Sequence, residues 1–452
     1  MVKNNRIDPE DFTRFDVKRG LRNPDGTGVM AGLSKICNVD GYYVKDGERV
    51  PQEGRLIYRG IDVIDIVNGC IREDRFGFEE TVWLLLFGYL PTKEQLELFS
   101  GILARQRELP EDFAEDMIMK APSINIMNKL SRSVLALYSY DDNPEDLSVE
   151  NVLRQSISLI AQMSTIMSCA YQVKRRHYEH KSMYIHQNKL EYGTAQNVLY
   201  TIRSNKKFTD EEAKLLDLSL ILHAEHGGGN NSAFAARVLT SSLTDTYASI
   251  AAGIGALKGP RHGGANIKVR EMLDFIRRDV ADVTNKDEVA CYLEKIINKE
   301  AGDGTGLIYG MGHAVYMLSD PRAVILKNHA RDFSERKGFG EKFRLIELVE
   351  ELTPEVFAAK KGSSKKMCAN VDLYSGLIYE MLGIPEDLFT PLFCVARVAG
   401  WAAHRIEELL TGGRIIRPAY KNVSIPREYH PIDERSGEGF EDERYIPSDE
   451  RP

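Results

Sequence analysis

From residue 79 to residue 410 this chain is written almost continuously in the helical period, and the strand signals that would offer an alternative are confined to one stretch nearer the N-terminus. Apolar residues recurring every three to four positions mark helices that bury one face. EETVWLLLFGYL at 79–90 is followed by Pro91 and Thr92, and TKEQLELFSGILARQREL then reads as a second amphipathic helix with its own cap. Further helices are expected at about 151–176, 210–225, 231–242, 245–257, 266–278, 287–299, 321–333 and 340–352. Another starts near Val371 and Asp372. The last long one takes Thr390 as N-cap and Pro391 in its first turn, and runs to about Leu410. Only residues 34–60 read as strand, a short hairpin or two with Asp40-Gly41 and Asp46-Gly47 as turns. The alternation of strands and helices that builds a doubly wound sheet is missing. The expected fold class is all-α, with at most minor β-hairpins.

A chain of 452 residues is long enough for two domains. Its net charge of −8 argues against nucleic acid as the main partner, because phosphate binding wants a basic face. The six cysteines are scattered without a CxxC pair, which fits reduced thiols in a cytoplasmic setting. The opening MVKNNRIDPEDFTRFD has no apolar signal region, and the most apolar long segment, at 159–170, is too short to span a bilayer. No membrane role is expected. Residues 245–257, rich in alanine, glycine and serine, read as a close helix–helix seam, of which a dimer interface is one form. The polar, acidic tail after about residue 425 reads as an extended arm.

Three histidine-glycine patches interrupt the helices: HAEHGGGN at 223–230, GPRHGGAN at 259–266 and GMGHAV at 310–315. Glycine admits a ligand close to the backbone. His262 stands just before a helix, whose dipole disfavours a cation, so a neutral ring able to donate one hydrogen bond is expected there. His223 and His226 stand three apart on one helical face; they read as a metal pair or, for His226, as a substrate contact. The metal reading is the weaker, because Glu225 is misplaced for the zinc-protease pattern. Gly302 to Gly312 follows helix-like rather than strand-like sequence, so a nucleotide loop fails and a glycine-rich loop delivering His313 remains. Arg322 enters the helix that follows. Asp372, in CANVDLYSG, is either a helix cap or a carboxylate whose apolar setting raises its pKa toward that of a general base. Arg397 has Phe393, Cys394, Gly400 and Trp401 as helical neighbours, so it needs an internal carboxylate or a bound anion. Arg414 and Arg417 form a further cationic pair.

Taken in order, YRGIDVIDI, FEETVWLLLFGYLPT, HAEHGGGN, GPRHGGAN, GMGHAVYMLSDPRA, NVDLYSG, ARVAGWAAH and RIIRPAY resemble the citrate synthase family over roughly residues 30–425. The resemblance implies a homodimer of helical subunits, each with a large and a small domain closing on the site. On that pattern residues 1–262 and 383–452 supply the large domain and tail, and 263–382 the small domain with the CoA and catalytic face. It implies the condensation of acetyl-CoA with oxaloacetate, then hydrolysis to citrate and CoA, a step of the tricarboxylic acid cycle. Acetyl-CoA enters as cosubstrate; no metal or permanently bound cofactor is implied. By position, Asp372 matches the base that deprotonates the acetyl methyl, His262 the group stabilising the enol or enolate, and His313 the group that polarises and protonates the oxaloacetate carbonyl. His226, Arg322 and Arg397 match oxaloacetate-holding residues, and Arg417 an arginine reaching the partner's site.

The chain departs from the family after His313, where Ala314, Met317 and Leu318 fill a run that commonly holds a basic residue for a CoA phosphate. Cys368-Ala369 also stand where an aromatic and a proline are frequent. Lys365 and Lys366, or Lys174, Arg175 and Arg176, are candidates for the phosphate contacts. The rival readings are 2-methylcitrate synthase, which takes propionyl-CoA, a citryl-CoA lyase, and a non-catalytic helical dimer that binds a metabolite.

Overall fold

The computed structural model describes residues 6–46, 48–361, 367–424, 429 and 431–434. The chain divides into two units, Gly32–Ile415 and a second made of Met1–Ala31 with Ile416–Pro452. In the second, the short helix Pro9–Arg14 starts where the Asp8 carboxylate accepts the Glu10 N–H, and the Lys421 ammonium lies over the Phe15 ring.

The larger unit opens with the strands Cys37–Lys45, Glu48–Tyr58 and Ile61–Asp62, joined antiparallel in that order. Helices follow: Val63–Arg72, Phe78–Phe87, Lys93–Gln106, Ile126–Leu137, Val149–Tyr178, Thr194–Ile202, Asp210–His223, Asn231–Thr240 and Thr246–Leu257. Then come Ala265–Asp279, Lys286–Ile297, Pro321–Arg336, Gly340–Lys361, Val371–Met381 and Phe389–Thr411. The all-α expectation holds, with one hairpin and a two-residue third strand as the β content among the described residues. Local chemistry sets where helices begin. Thr92 with Gln95, and Thr209 with Glu212, close reciprocal capping boxes. Asp245, Asp320 and Asn370 each accept a first-turn N–H.

Phe389–Thr411 is the axis of the core, buried without a break from Phe389 to Ile406 and packed on Val149–Tyr178, Asn231–Thr240 and Phe78–Phe87. Burying its large apolar side chains contributes about 1.5–3 kcal/mol each. The seam expected at 245–257 is seen within the chain: a Cβ on Gly253 would stand 2.8 Å from the Trp401 indole, so only glycine lets the two helices meet there.

Several expectations are corrected. Asp40-Gly41 is not a turn; it lies inside the first strand, at a register shift between Asp40 and Tyr42. The strands reverse at Asp46, φ 53°, with Lys45 paired opposite Glu48; Gly47 of the expected Asp46-Gly47 turn lies outside the described residues. His223 and His226 do not share a helical face, because the helix ends at His223 and Gly227 turns left-handed at φ 85°. Thr390 is not the N-cap of the last helix. Leu388 is, and the Thr390 hydroxyl instead donates to the Gly263 carbonyl at 2.8 Å. Helix Gly340–Lys361 continues past the expected end at about residue 352 and runs through Pro354. Helices Val63–Arg72, Ile126–Leu137 and Thr194–Ile202 were not anticipated. No helix among the described residues is long and apolar enough to cross a membrane.

Candidate active site

Two loops distant in sequence are zipped together, and this ties the loop of His313 to the start of the helix that carries Asp372. Met311 and Ala369 form an isolated antiparallel bridge. Around it the Gly312 N–H donates to the Cys368 carbonyl at 2.7 Å and the Asn370 N–H to the Gly310 carbonyl at 2.9 Å. The Asn370 amide adds a bond to the Gly312 carbonyl at 3.0 Å. Gly310 permits this, since a Cβ there would lie 2.8 Å from a Leu373 methyl and its φ is +80°. The hairpin braces the same loop from outside. A Cβ on Gly41 would fall 2.6 Å from the Val315 carbonyl oxygen, and the Gly54 N–H donates to the Ser319 hydroxyl at 3.1 Å.

On this scaffold the His313 ring stacks on Tyr316, centroids 4.5 Å apart, and meets His226 edge-on at 5.1 Å. His313 Nδ1 accepts the N–H groups of Val315 and Tyr316, both at 3.1 Å. A ring nitrogen that accepts carries no proton, so the neutral ring holds its proton on Nε2 and presents a donor there. His226 Nε2 is buried with no hydrogen-bond partner among the described residues. Burial, then Arg322, His313 and Arg397, hold the His226 ring neutral, well below the usual histidine pKa.

His262 Nε2 lies 3.0 Å from the Ser232 hydroxyl, which accepts the Trp401 indole N–H at 3.1 Å and reaches Asn230 Oδ1 at 2.8 Å. Its pKa is pushed down to about 4, by burial first and the Arg397 charge second. The neutral ring expected from the sequence is found, but its main cause is desolvation rather than the helix end. Asp372 follows Asn370, whose side chain accepts the Asp372 N–H at 3.0 Å. Asn370 is therefore the cap, and the Asp372 carboxyl is free for other work. Burial pushes it up to about 6 against the pull of Arg322 and Arg397, with Asp320 adding to the rise.

Arg322 is gripped by Asp320, Nε to Oδ1 at 3.0 Å and Nη2 to Oδ2 at 2.7 Å. Arg397, 1% exposed, differs. Its Nε donates to the His223 carbonyl at 2.6 Å, while both terminal nitrogens are buried without a hydrogen-bond partner among the described residues. Glu225, the acid whose charge acts on it, bonds His404 at 3.0 Å instead. The salt-bridge alternative for Arg397 thus fails, and a guanidinium fork open on two nitrogens is what a bound carboxylate needs. Arg417 belongs to the other unit, where it is exposed. Lys365 and Lys366 lie outside the described residues. Lys174 pairs with Asp387 and, at 3.9 Å, with Glu179. Arg175 lies over the rings of Tyr171 and Tyr184, and Arg176 is exposed.

Sequence reasoning missed Ser232, Tyr316 and Asp320. Asp320-Pro321 carried a legible signal, an N-cap followed by proline. Ser232 and Tyr316 carried none, because their importance comes from neighbours distant in sequence.

The family model described as "Citrate synthase, C-terminal domain" matches residues 23–419, a span that contains every candidate site residue named above. The chain is 33% identical over 410 residues to a citrate synthase of Synechocystis sp., covering 90% of this chain and 92% of that one. The chain belongs to the citrate synthase family. Within the family it is also 33% identical over 426 residues to a 2-methylcitrate synthase of Corynebacterium glutamicum, covering 93% of this chain and 99% of its relative. A solved citrate synthase of Thermoplasma acidophilum, described as a ternary complex with carboxymethyl coenzyme A and oxaloacetate, superposes with a TM-score of 0.75 at 26% identity over 93% of this chain and 99% of that one.

Proposed function

We propose that this chain condenses acetyl-CoA with oxaloacetate and hydrolyses the resulting citryl thioester to citrate and CoA. The observation that carries the reading is the convergence of an unpaired buried arginine, neutral histidines and a carboxylate of raised pKa on one site. Oxaloacetate is a dicarboxylate; Arg397, with Arg322 and His226, supplies the fixed donors it requires. Asp372 removes a proton from the acetyl methyl. A carboxylate alone is a weak base for that carbon acid, so the thioester oxygen needs a hydrogen bond that strengthens as charge develops, worth about 2.7–4 kcal/mol. His262 is suited to give it. The Ser232 hydroxyl has one proton to share between Asn230 Oδ1 and His262 Nε2. When that proton turns to His262, the ring proton sits on Nδ1 and donates to the thioester oxygen. His313 donates from Nε2 to the oxaloacetate carbonyl and protonates it as the new carbon–carbon bond forms.

The rest of the reading follows the family. The large domain spans residues 1–262 and 383–452, the small domain 263–382, and closure between them excludes water. The protein works as a cytoplasmic homodimer in which Arg417 reaches the partner's site. No resident cofactor takes part. Lys365 and Lys366 hold CoA phosphates, a role that Lys174, committed to Asp387 and Glu179, is poorly placed to share. The similarity to a 2-methylcitrate synthase keeps propionyl-CoA as the second reading of the acyl donor, since one methylene in a pocket is worth only about 1–3 kcal/mol. Thiol release from each acyl-CoA in the presence of oxaloacetate decides. Faster release from acetyl-CoA is expected; preference for propionyl-CoA moves the assignment to the second reading, and no release from either overturns both.

A further inference from the structure

After substrate-facing groups are set aside, a second set of buried polar atoms remains without hydrogen-bond partners among the described residues. Besides Trp83, Arg107, Ser133, Glu225 and Tyr316, each with one such atom, they include a cluster: both ring nitrogens of His223, the whole side-chain amide of Asn266, the Ser375 hydroxyl and the Tyr379 hydroxyl. The four residues of this cluster are almost fully buried, none more than 1% exposed. They are also neighbours. Asp372, Ser375, Gly376 and Tyr379 are spaced by three and four, so they line one face of helix Val371–Met381. Asn266 packs on that face at Gly376, where a Cβ would lie 3.4 Å from the Asn266 carbonyl oxygen and 3.9 Å from its Cβ. His223 meets the other end, its ring centroid 6.3 Å from that of Tyr379. Helical side chains lean toward the N-terminus, which carries the Tyr379 hydroxyl back along the face toward Asp372. Burial first, and the Asp372 charge second, hold the Tyr379 proton on.

Burying this many donors and acceptors without partners is costly, and clustered buried polar groups of this kind are where proteins keep ordered water. We infer that Asn266, Ser375, Tyr379 and His223 hold ordered water along the helix face behind Asp372, and that this water is the co-reactant of the thioester hydrolysis. The inference rests on the citrate synthase reading of the site. It answers a requirement of that chemistry: condensation must be shielded from bulk solvent, yet the second half-reaction consumes one water. In that step the water oxygen bonds to the citryl carbonyl carbon and the carbon–sulfur bond breaks. One water proton passes by way of Asp372 to the departing sulfur, giving the free thiol, and the hydroxyl stays on the new carboxyl group.

The test is to supply citryl-CoA itself to the full-length enzyme. It partitions between hydrolysis, giving citrate and CoA, and reversal, giving acetyl-CoA and oxaloacetate. Both use the same binding groups and only hydrolysis consumes water, so their ratio is independent of the folded fraction. Ser375→Ala and Tyr379→Phe each remove one oxygen atom. Each is expected to shift the ratio about tenfold toward reversal, the effect of losing a hydrogen bond to the reacting water. An unchanged ratio in both variants, whatever the absolute rates, overturns the inference. Neither product from the wild-type enzyme overturns the citrate synthase reading itself.

Discussion

Arg397 is the least stable group in the site and the most informative. Its charge is buried, its two terminal nitrogens face no partner among the described residues, and burial lowers its pKa despite Glu225 nearby. An isolated buried charge destabilises the fold and is kept for a ligand. Arg397→Met should therefore leave the free protein as stable or up to about 1–4 kcal/mol more stable by thermal unfolding. The same variant should lose the rise in Tm that oxaloacetate gives the wild type, about 2.7 kcal/mol at a hundredfold excess over Kd. A variant that is destabilised and still stabilised by oxaloacetate would make Arg397 a structural residue. The need of Arg397 for an anion was legible in the sequence because its helical neighbours are apolar. The tuning of His262 was only half legible: neutrality was expected from the helix end, but the desolvation and the nearby Arg397 that produce it come from residues remote in sequence.

At the scale of elements, the site depends on the bridge between Met311 and Ala369, which with the flanking bonds of Gly312 and Asn370 ties the His313 loop to the helix that carries Asp372. Gly310→Ala should strain it twice, through a left-handed backbone and through overlap with Leu373 and Val269. The cost is about 1–3 kcal/mol. Steady-state kinetics should show kcat falling more than Tm alone explains, with the KM for oxaloacetate changed far less. Wild-type kcat would mean that the bridge does not set the spacing of the two groups. The helices were legible because period and caps are local signals. The role of Gly41 was not: Asp-Gly promises a turn, and only the packing of Val315 against the strand reveals why the glycine is there.

For the whole molecule, the site gathers residues from His226 to Arg397 into one unit, although they arise in five separate segments of sequence. Their order along the chain was legible as a family pattern; their joint burial and the partners that hold them were not. In the proposed reaction oxaloacetate is held by Arg397, Arg322 and His226 while the acetyl proton leaves to Asp372, so binding and chemistry should be separable. Oxaloacetate binding and oxaloacetate-dependent thiol release from acetyl-CoA, measured on one preparation of Asp372→Ala, test this most directly. The account predicts wild-type affinity for oxaloacetate with thiol release reduced by about 10²–10⁴-fold, the usual loss when a general base is removed. Thiol release close to the wild-type rate would contradict it.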